Sequence, residues 1–175
     1  MGRPSALSER MRELQEAMER YSTATIENYR TIHAFGDAVV GRLPGYLGEG
    51  SRVLGVPPAG EYRVNGGDYR DAKFSTYHTE VLKLAPIQMG VAVGIPHAKD
   101  DGWFWPRVIV EFEMIGNAIR VTVGDGPVAV RGAPIPHTSQ DVEHVCEAIH
   151  EYTRSVLENP VKATTAIERG KLGFI

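Results

Sequence analysis

Residues 107–123 read RVIVEFEMIGNAIRVTV, and this stretch decides the fold class. Apolar and polar residues alternate on both sides of Gly116-Asn117, which is the period of a half-buried strand on either side of a tight turn. One face carries Val108, Val110, Phe112 and Met114, with Ile119, Val121 and Val123 opposite them. Glu111, Glu113, Arg120 and Thr122 point the other way, to water. The stretch therefore predicts an antiparallel hairpin with one buried face.

Working outward, the same period of two appears in shorter pieces. Residues 51–56 and 61–64 read as strands separated by Pro57, Pro58 and Gly60, and 73–84 alternates through Phe74, Tyr77, Val81, Leu82 and Leu84. Residues 87–95 are apolar at nearly every position, with Gly90 and Gly94 inside, as in a strand buried on both faces. A last strand is expected at 128–131, before Pro134 and Pro136.

The two ends of the chain change period. From Leu7, apolar residues recur in steps of four and three through Met11, Leu14, Met18 and Tyr21. The series continues through Thr25 and Asn28 to Ile32, Phe35 and Val39, a heptad seam. It predicts a helix from about residue 8 to 35, bending at Gly36 into a short second helix that ends before Pro44. At the other end, Thr138 and Asp141 form a capping-box-like start. Val142, Val145, Cys146, Ile149, Tyr152, Val156 and Leu157 then follow at helical spacing until Pro160.

Helices at the ends and strands between them predict an α+β fold. Its parts are a long N-terminal helix, an antiparallel sheet of about five to seven strands, and a C-terminal helix packed on the sheet. The expected layout is a single domain: a helical segment at 1–48, the sheet at 51–131, the helix at 138–158 and a tail at 160–175. Within the tail, residues 163–169 suggest one more helical turn, and Leu172-Gly173-Phe174-Ile175 is apolar.

Composition excludes several function classes. The 175 residues carry 19 basic and 22 acidic side chains, a net charge of -3, which gives no field to attract nucleic acid or an anionic membrane. The single cysteine, Cys146, rules out an internal disulfide and a multi-cysteine zinc site. With no signal-peptide pattern or membrane-length apolar run, a cytoplasmic protein is expected. No phosphate loop, nucleophile elbow or zinc-protease motif is present, and neither a metal nor a cofactor is expected.

Chemistry-bearing residues concentrate in Pro96-His97-Ala98-Lys99-Asp100-Asp101-Gly102-Trp103-Phe104-Trp105-Pro106. This loop joins an imidazole, an amine, two carboxylates and three aromatics. It reads either as a binding surface formed by Lys99, Trp103, Phe104 and Trp105 or as a plain strand connection. His97, Asp100 and Asp101, with His137 ahead of the C-terminal helix, are the catalytic candidates if a cleft gathers them. His137 with Thr138 and Ser139 would suit an anion, although helix capping accounts for the same residues.

Cys146 and His150 lie four apart on the helix, but Cys146 falls inside the apolar stripe and is expected to be a buried, inert thiol. Asp68 and Asp71 are turn residues that would reach a cation only with Asp100 and Asp101 beside them. His33 and His78 read as isolated, and His144 as solvated. The leading expectation is a non-enzymatic binding or assembly module. It would be homo-oligomeric through a coiled coil of Leu7, Met11, Leu14, Met18 and Tyr21, and would hold another protein at the aromatic loop or a sheet edge. A small-molecule enzyme or ligand sensor, with a pocket between sheet and C-terminal helix, is the alternative.

Overall fold

The computed structural model describes residues 8–78 and 84–159, together with the backbone of 172–173. Helix α1 spans Glu9–Leu47 as one unbroken element. Ser8 caps it by accepting from the Met11 N–H. The bend expected at Gly36 is not there: Gly36 is buried, and a Cβ at this position would stand 2.6 Å from Phe74 Cε1, so the glycine makes room for a ring. Nor does Pro44 stop the helix. It lies in the last turn, where its carbonyl accepts from the Gly48 N–H and the Ser51 hydroxyl.

The sheet follows, with β1 (Arg52–Val56), β2 (Ile87–Pro96), β3 (Trp103–Phe104), β4 (Arg107–Ile115), β5 (Ala118–Val123) and β6 (Val128–Ala133). All pairings are antiparallel and the order is β1-β2-β4-β5-β6. β3 continues the line of β4 beside β2, with Ile95 opposite Phe104 and Ala92 opposite Arg107 in one register. The gap between them falls at Pro106, which lacks an N–H but whose carbonyl accepts from Val93. The hairpin at 107–123 has the expected register, Ile115 opposite Ala118, with Gly116 at φ 60 in the turn.

Two expected strands are absent among the described residues. Residues 61–64 are irregular because Tyr62 turns inward, its hydroxyl donating to the Trp105 carbonyl at 2.6 Å. The 73–84 stretch begins instead with a 3-10 turn, Arg70–Lys73, and a lone bridge from Phe74 to Met89; its residues 79–83 lie outside the described part.

Helix α2, Ser139–Leu157, starts with a complete capping box between Thr138 and Asp141 and packs beside α1 on one face of the sheet. The main core lies between them, from Ile32, Phe35, Val39 and Leu43 of α1 through Met89, Val91, Val110, Phe112 and Val121 to Val145, Cys146 and Ile149 of α2. On the opposite face, Val56, Tyr62 and Ala92 form a smaller cluster with Trp105 against it. A two-residue strand, β7 (Leu172–Gly173), pairs with Arg107 and Val108 of β4. The helical turn expected at 163–169 lies outside the described residues.

Candidate functional site

The heptad seam of α1 divides into two halves with opposite fates. Ile32, Phe35, Val39 and Leu43 are fully buried on the sheet. Met11, Leu14, Met18 and Tyr21 are 49%, 64%, 62% and 48% exposed, and every residue from 8 to 24 is exposed. Leu7, the first seam position, lies outside the described residues. The boundary falls at Thr25 and Asn28, both buried, where the Thr25 hydroxyl donates to the Ser22 carbonyl.

The aromatic loop is the apex of the β2–β3 hairpin, closed by the His97 N–H donating to the Gly102 carbonyl. Asp100 is committed within it: one oxygen accepts from the Gly102 N–H and the other lies 3.1 Å from His97 Nδ1. Lys99 and Asp101 are exposed. Trp105 packs so closely on Gly94 that a Cβ there would meet its ring at 2.9 Å. Trp103 carries the Arg52 guanidinium 4.0 Å from its ring centre, and Phe104 is 40% exposed. The apex thus presents Lys99 and Phe104, while Trp105 serves the small outer cluster.

The catalytic candidates do not converge. His97 and Asp100 share the hairpin apex with Asp101, whereas His137 stacks on Phe35 at 4.6 Å between ring centres, beside the start of α2. Thr138 there is engaged in the capping box. Cys146 is fully buried, its Sγ 3.9 Å from the Val39 carbonyl, and burial pushes its thiol up to about 11. His150 instead faces Glu151 at 3.6 Å and Tyr46, and His144 is exposed. Asp68 receives the Arg70 N–H, and no group of three or more potential metal ligands exists among the described residues.

One cluster was not anticipated from sequence. His33, read as isolated, is sandwiched between Tyr29 and Phe74, with ring centres 3.8 and 3.7 Å away. Its Nε2 lies 3.1 Å from Thr76 Oγ1 and its Nδ1 lies 3.8 Å from Asp71. Burial lowers its pKa against the opposing pull of Asp71 and Asp37. Beside it, Lys73 is buried with its Nζ 2.6 Å from Asp37 and 3.1 Å from the Arg70 carbonyl. Arg70 holds a positive φ of 49 to present that carbonyl. The signal available in the sequence was a histidine one position after a seam residue, on the face that α1 buries.

A cavity of about 470 Å³ opens between the end of β2 and the C-terminal half of α2. Leu47, Val93, Ile95, Ile149 and Leu157 give it apolar walls, with Arg154 also at its lining. The two hydroxyls there are spent on backbone, Ser51 on the Pro44 carbonyl and Thr153 on the Ile149 carbonyl. None of His97, Asp100, Asp101 and His137 lines it. No protein-family model, curated protein or solved structure matches the chain. No helix among the described residues is long and apolar enough to cross a membrane.

Proposed function

We propose that this chain is a non-enzymatic assembly module that associates with itself through α1 and offers the hairpin apex to another protein. The observation that carries the reading is the exposed half of the seam, Met11, Leu14, Met18 and Tyr21, on a helix whose later seam residues, Ile32, Phe35, Val39 and Leu43, keep the same spacing and are fully buried. A helical stretch of this length is marginal in water by itself, and a continuous apolar stripe on it marks a surface that a partner covers. At the apex, exposed Phe104 next to Trp103 and Lys99 supplies the aromatic and cationic chemistry common at protein contacts.

The test is mass in solution. Wild-type protein at high micromolar concentration is expected to scatter light as a dimer or larger, and Leu14→Glu plus Met18→Glu is expected to return it to monomer with the cooperative unfolding of its core retained. A monomeric wild type, or a variant of unchanged mass, would overturn the reading.

The apolar cavity favours a second reading, a receptor for a small apolar ligand held between β2 and α2. Binding of an apolar fluorescent probe that Ile149→Trp displaces would support it.

A further inference from the structure

We propose that two copies pair their α1 helices antiparallel, centred near residue 16, so that Met11 faces the partner's Tyr21 and Leu14 faces the partner's Met18. This rests on the self-association reading and adds its geometry.

What covers the rest of the seam constrains how two copies can pair. Helix α1 is unbroken from Glu9 to Leu47, and the seam face that is open up to Tyr21 is the face that the protein's own body occupies from Thr25 onward. In a parallel, in-register pair the two seam faces oppose each other along their whole length. Each protomer's sheet would then lie where the other's helix must continue, and the two bodies would overlap. An antiparallel pair has no such conflict. Each helix runs out past the N-terminus of its partner, and each body sits beyond the other end of the contact.

The spacing of the open seam fits this arrangement. Its exposed apolar positions among the described residues, Met11, Leu14, Met18 and Tyr21, are symmetric about residue 16. Pairing about that point sets one helix's open stretch against the other's and ends where both bodies begin. Antiparallel seams pair the two kinds of seam position with each other, which matches Met11 to the partner's Tyr21 and Leu14 to the partner's Met18. Beside the seam at the centre stands Ala17, small enough for close approach of the helices.

The area is adequate. Roughly half of each of the four seam side chains is exposed, on the order of 100 Å² apiece. Two copies thus contribute about 800 Å² before the flanking Gln15, Ala17, Ser22 and Ala24 are added. The total reaches the lower end of stable interfaces, about 1,200 Å².

Cross-linking decides the geometry. Under mild oxidation, an equimolar mixture of Met11→Cys and Tyr21→Cys proteins is expected to give a disulfide-linked dimer that contains one of each, while neither variant alone cross-links efficiently. The wild type, whose only thiol is buried, serves as the blank. Self-cross-linking of Met11→Cys alone would mean a parallel pair and overturn the proposal. So would a dimer that is dissolved by Leu14→Glu plus Met18→Glu yet gives no linkage between positions 11 and 21, although self-association would then stand.

Discussion

The ion pair between Lys73 and Asp37 should respond unequally to losing one partner or the other. Lys73 has 8% of its side chain exposed and Asp37 57%, with Nζ and Oδ1 2.6 Å apart. Asp37→Ala leaves a buried ammonium with, among the described residues, the Arg70 carbonyl to accept from it. For a fully buried pair such a loss costs about 3–5 kcal/mol. Half of the Asp37 carboxylate is already in water, so part of that cost disappears, and about 1–3 kcal/mol is expected. Lys73→Met keeps an unbranched stem over Gly55, where the Lys73 Cδ lies so close that a Cβ would meet it at 2.4 Å. It releases a carboxylate that solvent can hydrate, so its effect should stay within about 1 kcal/mol in either direction. Urea unfolding followed by the fluorescence of Trp103 and Trp105 measures both variants. A Lys73→Met protein less stable than Asp37→Ala would refute the reasoning, because it would mean the ammonium is a net attraction and not a group that merely needs its partner.

Three further outcomes are expected. Burial holds the folded His33 pKa below its ordinary 6.5, so between the two values the unfolded chain binds more protons and stability is lost as pH falls through that window. The drop in urea midpoint from pH 7.5 to 5.5 should therefore shrink in His33→Gln, and an unchanged drop would exclude His33 as its source. A thiol pushed up to about 11 is almost entirely protonated at pH 8, so Cys146 should react with a disulfide reagent at least about 100-fold more slowly than a free thiol, and rapid native-state labelling would contradict its burial. Trp105→Ala should lower stability by about 1–3 kcal/mol because its ring packs on Gly94, and Trp103→Ala by less because it mainly carries Arg52. Equal losses in thermal melts would show that the two rings do the same job.

Sequence period was a reliable guide where one face of an element meets one environment. The 107–123 hairpin is such a case, since apart from Ile109, which is buried on the outward-facing parity, its buried and less buried positions alternate, and α2 is another, with its capping box and single apolar stripe. The connection between β1 and β2 misled because its apolar residues serve two different cores. Tyr62 joins the outer cluster and Phe74 the inner one, so their alternation reflects a chain that changes sides of the sheet and not a strand. Gly36 and Pro44 signalled breaks by intrinsic preference, but the ring of Phe74 required a bare backbone at one, and the other falls where the helix is about to end. The polar cluster around His33 was hidden for a different reason. It is assembled from α1 and the 3-10 turn, segments about forty residues apart, and no local pattern registers such a meeting.

The seam raises the same issue in its strongest form, because a spacing of four and three says that a stripe is covered without saying by what. From Ile32 onward the cover is the protein's own sheet, and the buried Phe35 meets Phe112 at 5.5 Å between ring centres. Before Thr25 the sheet no longer reaches, yet the spacing continues unbroken through Met11, Leu14, Met18 and Tyr21. A helix needed only as a solvated extension would gain nothing from large apolar side chains at those positions, since each costs free energy in water and none contributes to the core. The two halves of one stripe are thus left in two different environments. On the proposal made above, the body that covers the first half is also what favours an antiparallel helix over a parallel one as the cover of the second.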